Sequence, residues 1–218
     1  MAQIEAVMHA CHELRGPLTA ARLGIQLGMR RGGLSTAKLR AIDLELGRAT
    51  LALGDLAACL DGSEPEPDYE HVGVGELLVD SLEAWRAAAL ERKVSLGLSW
   101  DGGEATVWGE RLRLAQATGN LVANAIEHGG GRVRVGGRVE AGSIRIEVRD
   151  EGPGLPAPVA DLARPAGRRG LRGRGLAIAA AVAREHGGRL AAAPSESGAR
   201  LVLELPASAR DQPSAQTD

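Results

Sequence analysis

A chain of 218 residues, 44% hydrophobic and 25% charged, is long enough for one or two soluble domains with their own cores. Its net charge of −2 gives no whole-chain case for nucleic acid or anionic membrane, and its 26 basic residues are arginines except for Lys38 and Lys93. The longest apolar run, Leu176 to Ala183, falls well short of the ~18–20 residues of a membrane span, and the N-terminus lacks a basic-then-apolar signal pattern, so a cytoplasmic chain is expected.

The first sixty residues carry two apolar stripes. Ile4, Val7, Cys11, Leu14, Leu18, Ala21 and Ile25 alternate steps of three and four, and so do Leu39, Ile42, Leu46, Ala49, Leu53, Leu56 and Leu60. Gly32-Gly33 stops the first helix, and Ser35 or Thr36 caps the second. Two helices of about 25 residues cannot enclose a core alone, so the hairpin over 1–62 is expected to form a four-helix bundle in a homodimer. Cys11 and Cys59 are staggered by about 6–9 Å along such a hairpin, a poor disulfide geometry, and read as buried small apolar residues.

Residues 63–70 fall in a Pro- and acid-rich linker. Beyond it the pattern is mixed. Leu77–Leu90 is helical, Val94–Trp100 and Thr106–Trp108 are short strands, and Glu110–Glu127 is a long helix. Val133–Val139 and Ile144–Arg149 alternate at period two around a hairpin turn. A Gly/Pro/Arg-rich stretch from Gly152 to Gly175 leads into a helix ending near Glu185, and Arg189–Ala193 and Arg200–Leu205 form a last hairpin. Residues 207–218 read as a disordered tail. With a core free of Phe, necessarily aliphatic, the expected class is α+β: helices on one side of a mixed, largely antiparallel sheet.

Four constellations carry chemistry. In His12-Glu13-Leu14-Arg15-Gly16-Pro17, the imidazole is one step off the apolar stripe, Glu13 can orient it or take its proton, and Pro17 bends the helix. A lone surface histidine of no function is the bland alternative. His9 is a conceivable metal partner, but no third ligand follows at useful spacing. Asn120, Asn124 and His128 share one helical stripe, where a neutral amide oxygen suits Mg²⁺ that keeps its charge for phosphates. A solvated helix face is the alternative there. Asp150-Glu151-Gly152-Pro153-Gly154 ends a strand with a carboxylate able to accept from an exocyclic amine, and glycines that admit a flat ring. Gly170 through Gly175 opens a helix whose free N–H groups suit phosphate. The last two patterns are weak singly, since many turns look alike; their order and placement give them weight together.

These motifs resemble the sensor histidine kinases of two-component systems over roughly residues 2–206. HELRGPL resembles the H box, NLVANAIEH the N box, DEGPGL the first glycine box and GRGLAI the second. The resemblance implies a phosphoacceptor hairpin followed by an α/β sandwich at 71–206 of the Bergerat ATPase class, shared with type II topoisomerases, Hsp90 and MutL. It implies that ATP phosphorylates His12, with Glu13 as base or orienter, and that the phosphoryl group passes to an Asp of a response regulator. Asn124 is then the Mg²⁺ ligand, with Asn120 and His128 on the same stripe, and Asp150 holds the adenine amine. Gly152, Gly154, Gly173 and Gly175 shape the nucleotide pocket and its lid. The chain departs from the family at Gly16, where Thr or Asn is usual, in its Phe-free, short and Arg-rich lid, and at Leu171. Gly16 implies weak regulator phosphatase activity. Sensing falls to a region outside the sequence or to another chain. A phosphotransfer module that has lost ATP binding is the alternative function; a serine kinase on the same ATPase domain is disfavoured, having no need of the HELRGPL hairpin.

Overall fold

The computed structural model describes residues 7, 14, 16–26, 33–61, 66–164 and 174–208. His9, Cys11, His12, Glu13, Gly173 and the side chain of Cys59 lie outside the described residues. Residues 16–26 are helical (α1). There follow α2 (Thr36–Asp61), β1 (Glu70–Gly73), α3 (Val74–Glu91), β2 (Ser95–Asp101), β3 (Thr106–Gly109), α4 (Arg111–His128), β4 (Arg132–Glu140) and β5 (Ser143–Arg149). The chain closes with α5 (Val159–Leu162), α6 (Arg174–Glu185), β6 (Arg189–Ala192) and β7 (Arg200–Pro206). Among the described residues no helix is long and apolar enough to cross a membrane.

The main sheet has five strands in the order β2-β4-β5-β7-β6. Only β2 and β4 run parallel, because β3 and α4 lie between them in sequence and carry the chain back across. Alternation sorts the strands into two faces. Val135, Val148 and Leu201 form one cross-strand row, and Val139, Ile144 and Leu205 another. Apart from Val139, at the exposed end of its strand, these side chains are buried with Leu77 and Leu78 of α3, Leu114 and Leu121 of α4, and Leu176 and Val182 of α6. The core is aliphatic apart from Trp85 of α3, which belongs to the same buried cluster. On the opposite face ion pairs line the strands: Arg200–Glu147 at 2.7 Å, Arg134–Glu151 at 3.0 Å and Arg145–Glu204 at 3.1 Å.

The sequence reading differs from the structure in three places. Glu70, assigned to the linker, opens the strand Glu70–Gly73, which pairs antiparallel with β3, and α3 starts three residues before Leu77. Val72 supplies its one buried side chain, too short a signal for periodicity to register. Ala207 and Ser208, assigned to the tail, are held by Ala207 N–H on the Gly142 carbonyl (2.9 Å) and Ser208 N–H on the Thr106 carbonyl (2.8 Å). The short α5 lies within a stretch read as loop.

The hairpin helix α2 has two faces. Ala41, Leu44, Glu45, Arg48 and Ala52 are buried, α2 packing against α3 and α4, whereas Leu39, Leu46 and Leu53 are exposed. Ser35 caps the helix, its hydroxyl accepting from Lys38 N–H at 3.4 Å. Charges stitch the docked face. Asp80 of α3 holds Arg40 of α2 at 3.3 Å and Arg111 of α4 at 2.9 Å. Asp55 of α2 takes Arg113 of α4 in a two-point pair, and that hydrogen bond, against the opposing effect of burial, raises the Arg113 pKa above its ordinary value. At the start of α1, a Cβ on Gly16 would lie 3.7 Å from the Trp85 ring of α3.

Candidate functional site

The site is built on α4. Leu114, Leu121, Val122, Ala125 and Ile126 turn inward, which leaves Asn120, Asn124 and His128 on one stripe along the edge of the core. Asn120 is half-buried. Its Oδ1 accepts from Arg48 Nη2 at 3.4 Å, and its Nδ2 is buried without a partner among the described residues. Asn124 is half-buried and its side chain makes no hydrogen bond among the described residues, which leaves its amide oxygen to a ligand. His128 is exposed, its Nε2 3.9 Å from Glu127.

Asp150 follows the last residue of β5 and is only 8% exposed. Its Oδ1 accepts from Gly152 N–H (2.9 Å) and Ala199 N–H (3.1 Å), while Asp150 N–H donates to the Ala199 carbonyl (3.0 Å). The carboxylate is thus anchored through one oxygen, and Oδ2 remains to accept from a ligand. Three glycines make this possible. A Cβ at Gly129, the C-cap of α4, would overlap the Asp150 side chain, and one at Gly152 would lie 2.6 Å from Gly129 Cα. Gly198, at φ +69°, presses against the Asp150 backbone, and a Cβ there would overlap its carbonyl. Gly154 takes φ +84°. The end of α4, the end of β5 and the approach to β7 therefore meet backbone to backbone.

Gly175, one step into α6, closes the other end. A Cβ on it would lie 3.5 Å from Asn120 Cβ and 3.7 Å from Cγ, so the second glycine box sits against the asparagine stripe. The structure thus brings Asn120 to Gly175, and Asp150 to Gly152 and the end of α4. His12, Glu13 and Gly173 are outside the described residues. Sequence reasoning missed Gly129, Gly198, Ala199 N–H and Arg48. Gly198 sits in a polar turn with nothing to mark it, and Arg48 is one arginine among many.

Among the described residues no group of three His, Cys, Asp or Glu side chains could hold a metal ion. A single neutral donor such as Asn124 Oδ1 fits Mg²⁺, which keeps several waters and takes its other ligands from phosphates. His186, just past the end of α6, is structural. Its Nδ1 lies 2.8 Å from the Val182 carbonyl, its Nε2 accepts from Glu110 N–H at 3.1 Å, and its ring stacks on Tyr69 with centroids 5.6 Å apart.

Residues 109–209 match the family model of the histidine kinase-, DNA gyrase B-, and HSP90-like ATPase. The chain is 33% identical over 198 residues to the sensor protein DivL of Caulobacter vibrioides, covering 85% of this chain and 25% of that one. It is 31% identical over 206 residues to the sensor histidine kinase CpxA of Escherichia coli, covering 89% of this chain and 45% of that one. The chain therefore spans between a quarter and a half of the length of these curated relatives. Among solved structures, the ATP binding domain of PrrB from Mycobacterium tuberculosis superposes with a TM-score of 0.54 at 29% identity, covering 65% of this chain and 99% of that one. Motif order, fold and relatives agree: residues 109–209 carry the ATPase domain of that family model, and over most of its length the chain is similar to sensor proteins that include a histidine kinase.

Proposed function

We propose that this chain is an ATP-dependent protein histidine kinase that phosphorylates its own His12 and passes the phosphoryl group to an aspartate of a response regulator. The observation that carries the reading is Asp150: a buried carboxylate held through Oδ1 by two backbone N–H groups, on a floor of glycines, with Oδ2 left to accept the adenine amine. Asn120, Asn124 and His128 extend from that floor along α4, the place for the phosphates. Gly152 and Gly154 follow Asp150, Gly175 stands against Asn120, and Gly173 joins them by its place in the motif GRGLAI.

Asn124 would hold Mg²⁺, which when bound would supply charge neutralisation at the phosphate oxygens. The chain's own residues do the rest. An imidazole nitrogen of His12 attacks the γ-phosphorus, the bond to the β-phosphate bridging oxygen breaks, ADP leaves, and Glu13 orients the ring and takes its proton. The regulator's carboxylate then attacks the phosphohistidine and returns the imidazole.

The working unit we propose is a homodimer through 1–62, joined by 63–70 to a catalytic domain at 71–206. The exposed Leu18 and Ile25 of α1 and Leu39, Leu46 and Leu53 of α2 recur at seven-residue spacing, as a bundle seam does. Incubation with γ-labelled ATP should give acid-labile, base-stable label that His12→Gln abolishes and His9→Gln leaves in place. Acid-stable label would indicate a serine kinase, and no label from ATP a phosphotransfer module; either result overturns the proposal.

A further inference from the structure

We propose that Arg48 of α2 is a positioning residue of the nucleotide site, delivered from the phosphoacceptor hairpin to fix the amide of Asn120. The inference rests on the reading of Asn120 as part of that site.

Apart from the charges at its margins, the docked face of α2 buries Ala41, Leu44 and Ala52, yet it also buries Glu45 and Arg48 to 1% and 3% exposure. Arg48 Nη1 donates to both Glu45 oxygens at 2.8 Å. A buried ion pair rarely stabilises a helix contact more than apolar side chains of similar volume, so docking alone gives no reason for this one. The rest of the guanidinium shows where it is aimed. Nη2 reaches Asn120 Oδ1 across the interface at 3.4 Å, and the head lies flat on Gly119. A Cβ there would overlap Nη1 and stand 2.8 Å from Cζ. Glycine in the interior of α4 costs the helix about 1 kcal/mol relative to Ala; the seat it opens for Arg48 accounts for its presence.

Arginine has donors only. Against it, an asparagine must present Oδ1, which turns Nδ2 to the other side of the amide. Asn120 Nδ2 is buried there with no acceptor among the described residues, on a side chain that packs against Gly175. An orphaned buried amide donor is costly, and a ligand acceptor relieves the cost. The acceptor that fits is a non-bridging phosphate oxygen of the nucleotide. Since Arg48 belongs to the hairpin and Asn120 to the catalytic domain, docking of α2 and nucleotide affinity become linked, and by reciprocity bound nucleotide should favour the docked arrangement.

The test is a double-mutant cycle on the full chain, reading the affinity for the Mg²⁺ complex of a non-hydrolysable ATP analogue by calorimetry. Because Arg48→Met alone leaves Glu45 buried and unpaired, the apolar pair Glu45→Leu/Arg48→Met is used beside it. Gly119→Ala evicts the guanidinium without altering any charge and improves helix propensity. Asn120→Ala should weaken binding about tenfold, and Gly119→Ala and the apolar pair about fivefold each, with melting temperatures unchanged or raised. In the Asn120→Ala background neither should weaken binding further. The Asn120 side-chain NH₂ resonances, assigned by their loss in Asn120→Ala, should move in Gly119→Ala. If Asn120→Ala binds normally, Asn120 lies outside the site and the parent reading fails. If Asn120→Ala weakens binding but the other variants are neutral, or act additively with it, the positioning role of Arg48 is wrong and the site stands. A variant that does not fold is replaced in the cycle by Arg48→Lys, which keeps the charge but not the reach of Nη2, and it should show the same non-additivity.

Discussion

Asp150 and Asn124 are proposed to meet different parts of one ligand, and on that proposal their loss should be separable. Asp150→Ala removes the acceptor for the adenine amine and should weaken ADP about equally with and without Mg²⁺, by tenfold or more for a lost charged hydrogen bond of about 1.5–3 kcal/mol. Asn124→Ala should weaken Mg²⁺-ADP by a comparable factor while leaving metal-free ADP nearly unchanged. Binding curves at saturating Mg²⁺ and in excess chelator decide it; equal losses from Asn124→Ala would remove the metal assignment. The sequence made both residues visible because each is an odd choice where it stands: an asparagine inside a helix, an aspartate after an alternating strand. It hid Gly198, whose importance is a contact with Asp150 some fifty residues earlier in the chain. Gly198→Ala should strain the positive φ and push on the Asp150 carbonyl, costing at least about 1 kcal/mol of stability in a urea titration.

Among the elements, the sheet was legible and its last register was testable only with coordinates. Period-two alternation located β4, β5 and β7 to within a residue or two, because one face is aliphatic and the other is charged. β1 escaped because four residues with one buried side chain carry no period. The face of α2 also escaped. The stripe of Leu39, Leu46 and Leu53 was evident, but the second face is polar at Glu45 and Arg48, and no sequence pattern distinguishes a buried charge from a solvated one. At the sheet edge, Arg189 donates to Glu204 and holds its carboxyl below the ordinary pKa; burial opposes this, and the nearby charges of Arg189 and Arg145 add to it. A depressed carboxylate contributes stability that is complete above the unfolded pKa and disappears as pH falls through the folded one. Wild-type stability should therefore decline below about pH 4 more steeply than that of Glu204→Gln. The difference at neutral pH should be no more than about 0.5 kcal/mol, because solvent screens the pair. Parallel denaturation curves at pH 3 and pH 7 give the comparison, and identical acid limbs would contradict it.

For the whole molecule, the unmet surface is the outward stripe of the hairpin. Leu53 is 52% exposed in the single chain, and Leu46 and Leu39 precede it at one and two heptads on α2. Leu53→Glu should leave the fold of one chain intact, since that side chain contributes little to its core. In the dimer the same change buries an unpaired carboxylate, at a cost of several kcal/mol. Analytical ultracentrifugation at micromolar concentration should show wild-type dimer and variant monomer, both with native circular dichroism. A wild-type monomer would remove the seam altogether.

The placement of Trp85 makes the position of the hairpin measurable without any label. The chain has three tryptophans and one tyrosine. Trp100 is held among Gly75, Gly102 and Gly137, with its indole N–H on the Gly103 carbonyl at 2.8 Å, and Trp108 is half-exposed beside His71 and Tyr69. Neither borders Gly16; Trp85 does, and its ring is buried. Lifting α1 from α3 should wet that indole alone and redden its emission, while the other two stay constant. Intrinsic fluorescence of a variant retaining only Trp85 would then follow, in real time, how phosphoacceptor and catalytic units part and rejoin through a turnover.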